Sequence, residues 1–401
     1  MSMETGYLLR CLHCHTSYAK NEVGYCCPTC ELDGALDVLY DYERIGASFR
    51  ADVARRDAFD MWRYRSLLPI PADFRPVLHT GGSPLYTLRH DERGRILVKD
   101  DTRNPTGSLK DRASALAVAL ASSRGYDTIA TASTGNAAAA LACMSAASGM
   151  RCVIFAPDSA PREKLAQMRA YGASVIEVAG GYDEAFVACY EACKENGWYN
   201  RSTGINSYMS EGKKTVSFEI AEQLHWQVPD RVFVPVGNGC IVGAVYKGFH
   251  ELYQMGCTDR VPRIMGVQAS GSDFMYRAWR AGTGPNGATA QPARTSAGSI
   301  SVALPRDRIK ALRAIEHSGG EFITVTDAEI FDAVTALARG CGVFAEAGAA
   351  AAYAGMQKWG SLAADETAVV LVTGTGLKDI AGLLRSGVLA EAVGERQVVA
   401  A

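Results

Sequence analysis

The sequence predicts an α/β fold: two parallel-sheet α/β domains preceded by an N-terminal zinc-ribbon-like segment. Three observations carry that expectation. From residue 95 onward, short apolar runs alternate with longer helical patterns, and strand–helix alternation builds parallel sheets covered by helices on both faces. Five of the twelve cysteines crowd into the first 30 residues. Several predicted strands run into glycine- and hydroxyl-rich turns that open a helix, where free N–H groups and the helix dipole favour anions.

Composition bounds the function. At ~100–200 residues per domain, 401 residues make two or three domains. A chain with 48% hydrophobic and 21% charged residues builds a packed core, which excludes wholesale disorder. Lys plus Arg total 41 and Asp plus Glu 43, so no basic excess is present for a nucleic-acid partner. The first residues show no basic and apolar export pattern. The apolar stretch 137–150 falls short of the ~20 residues that span a bilayer. The expectation is a cytoplasmic protein in a reducing compartment, with no membrane partner.

In chain order, the first element is the cysteine segment. Cys11-x2-Cys14 and Cys27-x2-Cys30 are separated by twelve residues. Two such knuckles form a tetrahedral thiolate cage suited to a closed, structural zinc site. Cys26 could replace Cys27 as a ligand, and both readings stay open. Cys11-Leu-His-Cys14-His15 also matches the haem attachment spacing. Such attachment normally occurs outside the cytoplasm, which favours zinc. The cysteines at 143, 152, 189, 193, 240, 257 and 341 lie mostly in apolar segments and read as small buried hydrophobes.

A charged helix is expected over 41–65, ended by Pro69 and Pro71. Strands are expected at 95–99, 128–132, 152–155, 174–178, 231–236, 263–268 and 368–372. Helices are expected at 109–123, 136–148, 161–171, 182–196, 212–224, 240–255, 327–341 and 346–357. The break between the first and second sets of βα units falls at 200–212, and a site is expected in the cleft between them.

Four junctions carry chemistry. Gly237-Asn-Gly-Cys-Ile241 follows an apolar strand and opens an apolar helix, an anion cradle on physical grounds. Its spacing is not the dinucleotide G-x-G-x-x-G, and no acid ends the next strand, so a small phosphate is favoured over NAD. Lys110 follows the Pro105–Gly107 turn and falls in the first turn of a helix. The macrodipole there favours a neutral amine, and burial pushes the same way. A neutral lysine is a nucleophile that forms Schiff bases. Ser133, Thr134 and Asn136 put hydroxyls and an amide beside another helix start, which suits an α-carboxylate and a phenolic oxygen. Thr373 and its glycines sit at a fourth strand end.

Together these segments resemble a fold-type II (tryptophan synthase beta-like) pyridoxal-phosphate enzyme, and within that group the threonine synthase family. The resemblance spans roughly 60–380. It rests on Met61-Trp-Arg-Tyr-Arg, Thr80-Gly-Gly-Ser-Pro-Leu, Asn104-Pro-Thr-Gly-Ser-Leu-Lys-Asp-Arg, Ser133-Thr-Gly-Asn, Glu211-Gly-Lys-Lys-Thr, Pro235-Val-Gly-Asn-Gly and Thr373-Gly-Thr-Gly-Leu-Lys-Asp. It implies a lyase that uses pyridoxal 5′-phosphate on a small-molecule amino acid, O-phosphohomoserine, and works as a homodimer. It also implies site roles. Lys110 matches the lysine that holds the cofactor and shuttles protons. Asn136 matches the partner of the cofactor's phenolic oxygen. Gly237, Asn238, Gly239, Cys240 and Ile241 match its phosphate loop. Thr373 matches the hydroxyl at its pyridine nitrogen. Ser133, Thr134 and Asn136 match the substrate contacts.

The implied division is a ribbon at 1–40, a large cofactor-binding domain at 41–125 and 205–385, a small domain at 126–204 and a tail at 386–401. Two segments depart from the family pattern. Where the family continues Ser-Thr-Gly-Asn-Thr-Ser-Ala-Ser and then an Arg, this chain has Asn136 followed by four alanines, with Ala147 at the Arg position. A basic segment before a Gly-Asn-Pro turn is replaced by Thr295-Ser-Ala-Gly-Ser-Ile-Ser301. In the family these residues serve the substrate's phosphate. Lys213, Lys214 and Lys378 are candidates to replace them. A second reading therefore stands beside the first: β-elimination or β-replacement on a serine- or threonine-like amino acid.

Overall fold

The computed structural model describes residues 6–389 apart from 32, 33, 72, 93, 161 and 361. Most of the expected tail, 390–401, lies outside the described residues.

The ribbon is a small antiparallel sheet. β1 (Tyr7–Cys11), β2 (Ser17–Ala19) and β3 (Leu36–Tyr40) pair in the order β2-β1-β3. The sides alternate with period two: Leu9, Cys11, Leu36, Val38 and Tyr40 turn inward. Polar contacts pin this unit to the rest. Lys247 pairs with Asp37 at 2.6 Å, and the Tyr40 hydroxyl donates to Glu211 at 2.7 Å.

The segment 41–65 is not the single helix expected. Two short helices, Tyr42–Gly46 and Phe49–Ala54, are followed by a 3-10 stretch at Met61–Leu67. Competing caps explain the breaks. The Asp41 and Asp60 side chains accept the N–H groups of Arg44 and Trp62 and start new turns. Burial of Phe49 against Tyr64, Phe218 and Trp226 then decides the path.

β4 (Leu85–Asp91) and β5 (Gly94–Asp100) lead into the large sheet. The chain then leaves to form a four-stranded sheet from β6 (Thr128–Ala132), β7 (Arg151–Pro157), β8 (Ser174–Val178) and β9 (Tyr199–Asn200). That sheet is parallel throughout, in the order β8-β7-β6-β9. Back in the large sheet come β10 (Arg231–Pro235), β11 (Arg263–Ala269), β12 (Glu321–Val325) and β13 (Thr367–Val372). Its order is β12-β11-β10-β13-β5-β4, parallel except for the antiparallel edge strand β4. The central strands are buried along their length, as expected when helices cover both faces.

The expected strands and the eight expected helices are present with small shifts at their ends. β4, β9 and β12 and the helices Phe274–Ala281 and Arg308–Ser318 are additional. Every segment singled out for chemistry follows the C-terminal end of a parallel strand: Lys110 after β5, Ser133 after β6, Gly237 after β10 and Thr373 after β13. Open α/β sheets bind ligands at that edge.

Candidate active site

Lys110 is the first residue of the helix Lys110–Ser123, and buried ion pairs fix that helix start. Arg112 has no exposed surface. It reaches Asp101 at 2.7 Å and Glu219 at 2.5 Å, and Lys99 meets the same Glu219 at 2.7 Å. These pairs tie the Lys110 helix to the loop after β5 and to the helix Met209–Gln223. The two cations hold the Glu219 carboxyl well below the usual range, against the opposing effect of burial. The loop itself is laced to β13. Leu109 N–H donates to Thr373 O, and Thr375 N–H to Gly107 O, both at 2.9 Å.

Burial lowers the Lys110 amine to about 8, with the Lys213 and Arg201 charges acting the same way and Glu346 opposing them. The neutral, nucleophilic form expected from the sequence is therefore accessible near neutral pH. Asn136, at the start of the helix Asn136–Ala147, crosses from the small sheet to the large one. Its Nδ2 donates to both Glu346 oxygens, at 2.9 and 3.1 Å. Glu346 is buried and precedes the helix Ala347–Trp359. Gly374 leaves room for this pair, since a Cβ there would meet Glu346 Oε1 at 2.5 Å.

The loop after β10 is an anion cradle by geometry. Gly239 sits at φ +92°, and a Cβ there would press on Ala311 and on the Asp307 carbonyl, each at 2.9 Å. The N–H groups of Gly237, Asn238, Gly239, Cys240 and Ile241 find no acceptor among the described residues. They open the helix Cys240–Gln254, so a phosphate there gains both hydrogen bonds and the dipole. Lys213 Nζ lies 2.8 Å from Cys240 Sγ beneath the loop. Ser133 and Thr134 are half-buried at the β6 edge, where Ser133 Oγ accepts the Gly135 N–H at 3.2 Å.

Lys110, Asn136 and Thr373 thus meet at one junction through Glu346 and Gly374, with the cradle and Lys213 close enough to bear on the Lys110 charge. A partly buried low-pKa amine and a set of unpaired amides fit an aldehyde that carries a phosphate. Of the candidate donors for a substrate anion, Lys214 is consumed in pairs with Glu211 at 2.6 Å and Glu251 at 2.7 Å. Lys378 Nζ is buried without a partner among the described residues. Sequence reasoning missed Glu346 and Arg201. The signal for each was a charged residue at a helix start or strand end, which only the fold makes meaningful.

The four thiols of Cys11, Cys14, Cys27 and Cys30 lie within 4.8 Å of one another, a donor set suited to zinc. Cys26 is not among them. It forms a β-bridge with Ala35, and burial pushes its thiol up to about 11.

Comparison with known proteins fits this geometry. Residues 77–374 match the family described as pyridoxal-phosphate dependent enzyme. The threonine synthase of Methanocaldococcus jannaschii is 39% identical over 388 residues, covering 94% of this chain and 95% of that protein. That of Methanosarcina acetivorans is 39% identical over 382 residues, covering 93% and 92%. The processed form of threonine deaminase isoform 2 from Solanum lycopersicum superposes with a TM-score of 0.63 at 22% identity, covering 78% of this chain and 83% of that one. That likeness shows the shared fold. No described helix is long and apolar enough to cross a membrane. The chain therefore belongs to the pyridoxal-phosphate dependent enzyme family, as a lyase related to the threonine synthases.

Proposed function

We propose that the protein converts O-phosphohomoserine and water into threonine and inorganic phosphate. The observation that carries the reading is the Lys110 amine, lowered to about 8, on the same sheet edge as the Gly237–Ile241 amides. The name threonine synthase, borne by relatives 39% identical over most of the chain, supports the choice of reaction.

Bound pyridoxal phosphate supplies an electron sink for the pair left behind when a proton leaves the substrate carbon next to the amino group. The chain's own residues do the rest. The amides of Gly237, Asn238, Gly239, Cys240 and Ile241 would hold the cofactor phosphate. Asn136, oriented by Glu346, would hold the phenolic oxygen, and Thr373 would stand at the ring nitrogen. Ser133 and Thr134, with the amides opening the Asn136 helix, hold the substrate α-carboxylate. Lys110 anchors the cofactor and then carries protons. Its amine takes the proton from Cα and then one from Cβ. The pair left at Cβ expels phosphate from Cγ, and Cγ takes a proton back to become the methyl group. Water adds its hydroxyl at Cβ, its other proton leaves with the phosphate, and Cα is reprotonated. A base near 8 is matched to work at neutral pH. Zinc on Cys11, Cys14, Cys27 and Cys30 staples the ribbon. The expected division into segments 1–40, 41–125 with 205–385, and 126–204 belongs to the same reading.

The test is incubation of holoenzyme with O-phosphohomoserine. Threonine and phosphate in equal amounts are expected, with both lost in Lys110→Ala along with the visible cofactor band. Absence of phosphate release overturns the reading. One observation favours the second reading: the first turn after Asn136 is alanine, with Ala138, Ala139 and Ala140 buried, so no side-chain donor faces a γ-phosphate from there. Release of a keto acid or a substituted product from a serine-like substrate, without threonine, selects β-elimination or β-replacement.

A further inference from the structure

Arg201 follows β9 and has no exposed surface. Its N–H donates to Ala130 O at 2.8 Å, which fixes it beside β6. Nε donates to Ser114 Oγ at 3.2 Å, and Nη1 to Thr203 Oγ1 at 3.4 Å. Nη2 has no acceptor, and no carboxylate among the described residues forms an ion pair with this guanidinium. Ser114 stands one helical turn beyond Lys110, on the same face. A buried guanidinium without a counter-ion is costly, and its planar fork matches an oxyanion.

Two anions could reach it: the cofactor phosphate and a charged group on the substrate. The cofactor phosphate has its own cradle after β10, in the large sheet. Arg201 belongs to the other sheet, next to β6 and its Ser133–Thr134 turn. We propose that Arg201 is a specificity-determining residue that receives an oxyanion at the far end of the amino-acid substrate's side chain. It would replace the basic residues that the Ala137–Ala140 turn and Ala147 lack. The inference rests on the proposed function only in taking the substrate to be an anionic amino acid.

The test is calorimetric titration of holoenzyme with three ligands: 2-amino-5-phosphonopentanoate, its sulfonate counterpart and norvaline. The wild type is expected to bind an anionic ligand more tightly than norvaline. Arg201→Gln is expected to cut that preference by ~10–100-fold, the range for a lost charge-assisted contact, with norvaline affinity and cofactor content unchanged. Arg201→Lys should keep part of the preference. An unchanged preference in Arg201→Gln overturns the proposal, as does loss of cofactor content without a change in preference. Thermal melting of the apoprotein is a second arm. Removing an unpaired buried charge should leave the melting temperature equal or higher. A drop, with preference intact, assigns Arg201 a structural role and overturns the inference. If the sulfonate is preferred and Arg201→Gln abolishes that preference, this inference stands and the phosphate-release reading falls. If the wild type distinguishes neither anion from norvaline, this inference falls.

Discussion

Arg112 and Arg201 are both fully buried, and their surroundings are opposite. Arg112 is met by two carboxylates and two hydroxyl groups, so every nitrogen has an acceptor. Arg201 has two hydroxyls, one orphaned nitrogen and no carboxylate among the described residues. Burial lowers Arg201 to about 10, while Asp101 and Glu219 hold Arg112 well above its ordinary value. The contrast separates a charge that serves the fold from one held for a ligand. The Arg112 network is closed within the chain and fixes where Lys110 begins. The charge of Arg201 is left without a counter-ion among the described residues.

The largest effect that tests the comparison is at Glu219. Glu219→Gln leaves Arg112 and Lys99 buried with one shared counter-ion removed. Breaking a buried pair from one side costs about 3–5 kcal/mol, so chemical denaturation should show a loss of that order. Arg201→Gln should show none. The pH dependence has a definite sign. Glu219 is depressed in the folded state, so its contribution is present above the unfolded carboxyl value of about 4.3 and is lost as pH falls toward the folded one. Equal losses for the Glu219 and Arg201 variants would erase the distinction.

The next effect concerns what holds Arg201 in place. The Tyr25 hydroxyl of the ribbon accepts the Asn200 N–H at 2.9 Å, and its ring meets Tyr199 edge-on at 5.7 Å. The ribbon therefore buttresses the strand that delivers Arg201. Stripping metal with a chelator should lower the melting temperature by a few degrees. It should also weaken binding of the phosphonate ligand, while hydrogen exchange in the Lys110–Ser123 helix stays slow. Cys27→Ser should mimic chelation and Cys26→Ser should not, as read by bound zinc. Zinc retention in Cys27→Ser would reassign the ligand set.

The same pair of arginines shows how far sequence reaches. Buried parallel strands such as β7 and β13 announce themselves as continuous apolar runs. The turns holding Lys110 and Gly237 announce themselves through glycine and proline. Edge strands β4 and β12 carry polar residues among apolar ones, and β9 is two residues long, so none has a periodic signature. The helix expected over 41–65 failed because side-chain caps at Asp41 and Asp60 outcompeted a continuous pattern. Nothing local separates Arg112 from Arg201. The difference lies in partners such as Glu219, 107 positions away from Arg112, and in the absence of any equivalent for Arg201 among the described residues.

The smallest effect is the most direct measure of the open side of the comparison. The Lys213 and Arg201 charges act on Lys110 beside its burial, and its amine is lowered to about 8, against an ordinary lysine value of about 10.4. Between those values the unfolded chain binds a proton that the folded apoprotein does not. The Lys110 contribution to stability therefore rises with pH from about 8 to about 10.4, and below about 8 the fold carries the unfavourable charge. The difference in stability between wild-type apoprotein and Lys110→Met should follow that course. Acylation of Lys110 by an amine-directed reagent should titrate with a midpoint near 8. In Arg201→Gln that midpoint should move upward, because one of the cations lowering it is gone. A midpoint unmoved by Arg201→Gln would mean that the guanidinium charge does not reach Lys110, and the two would not share a site.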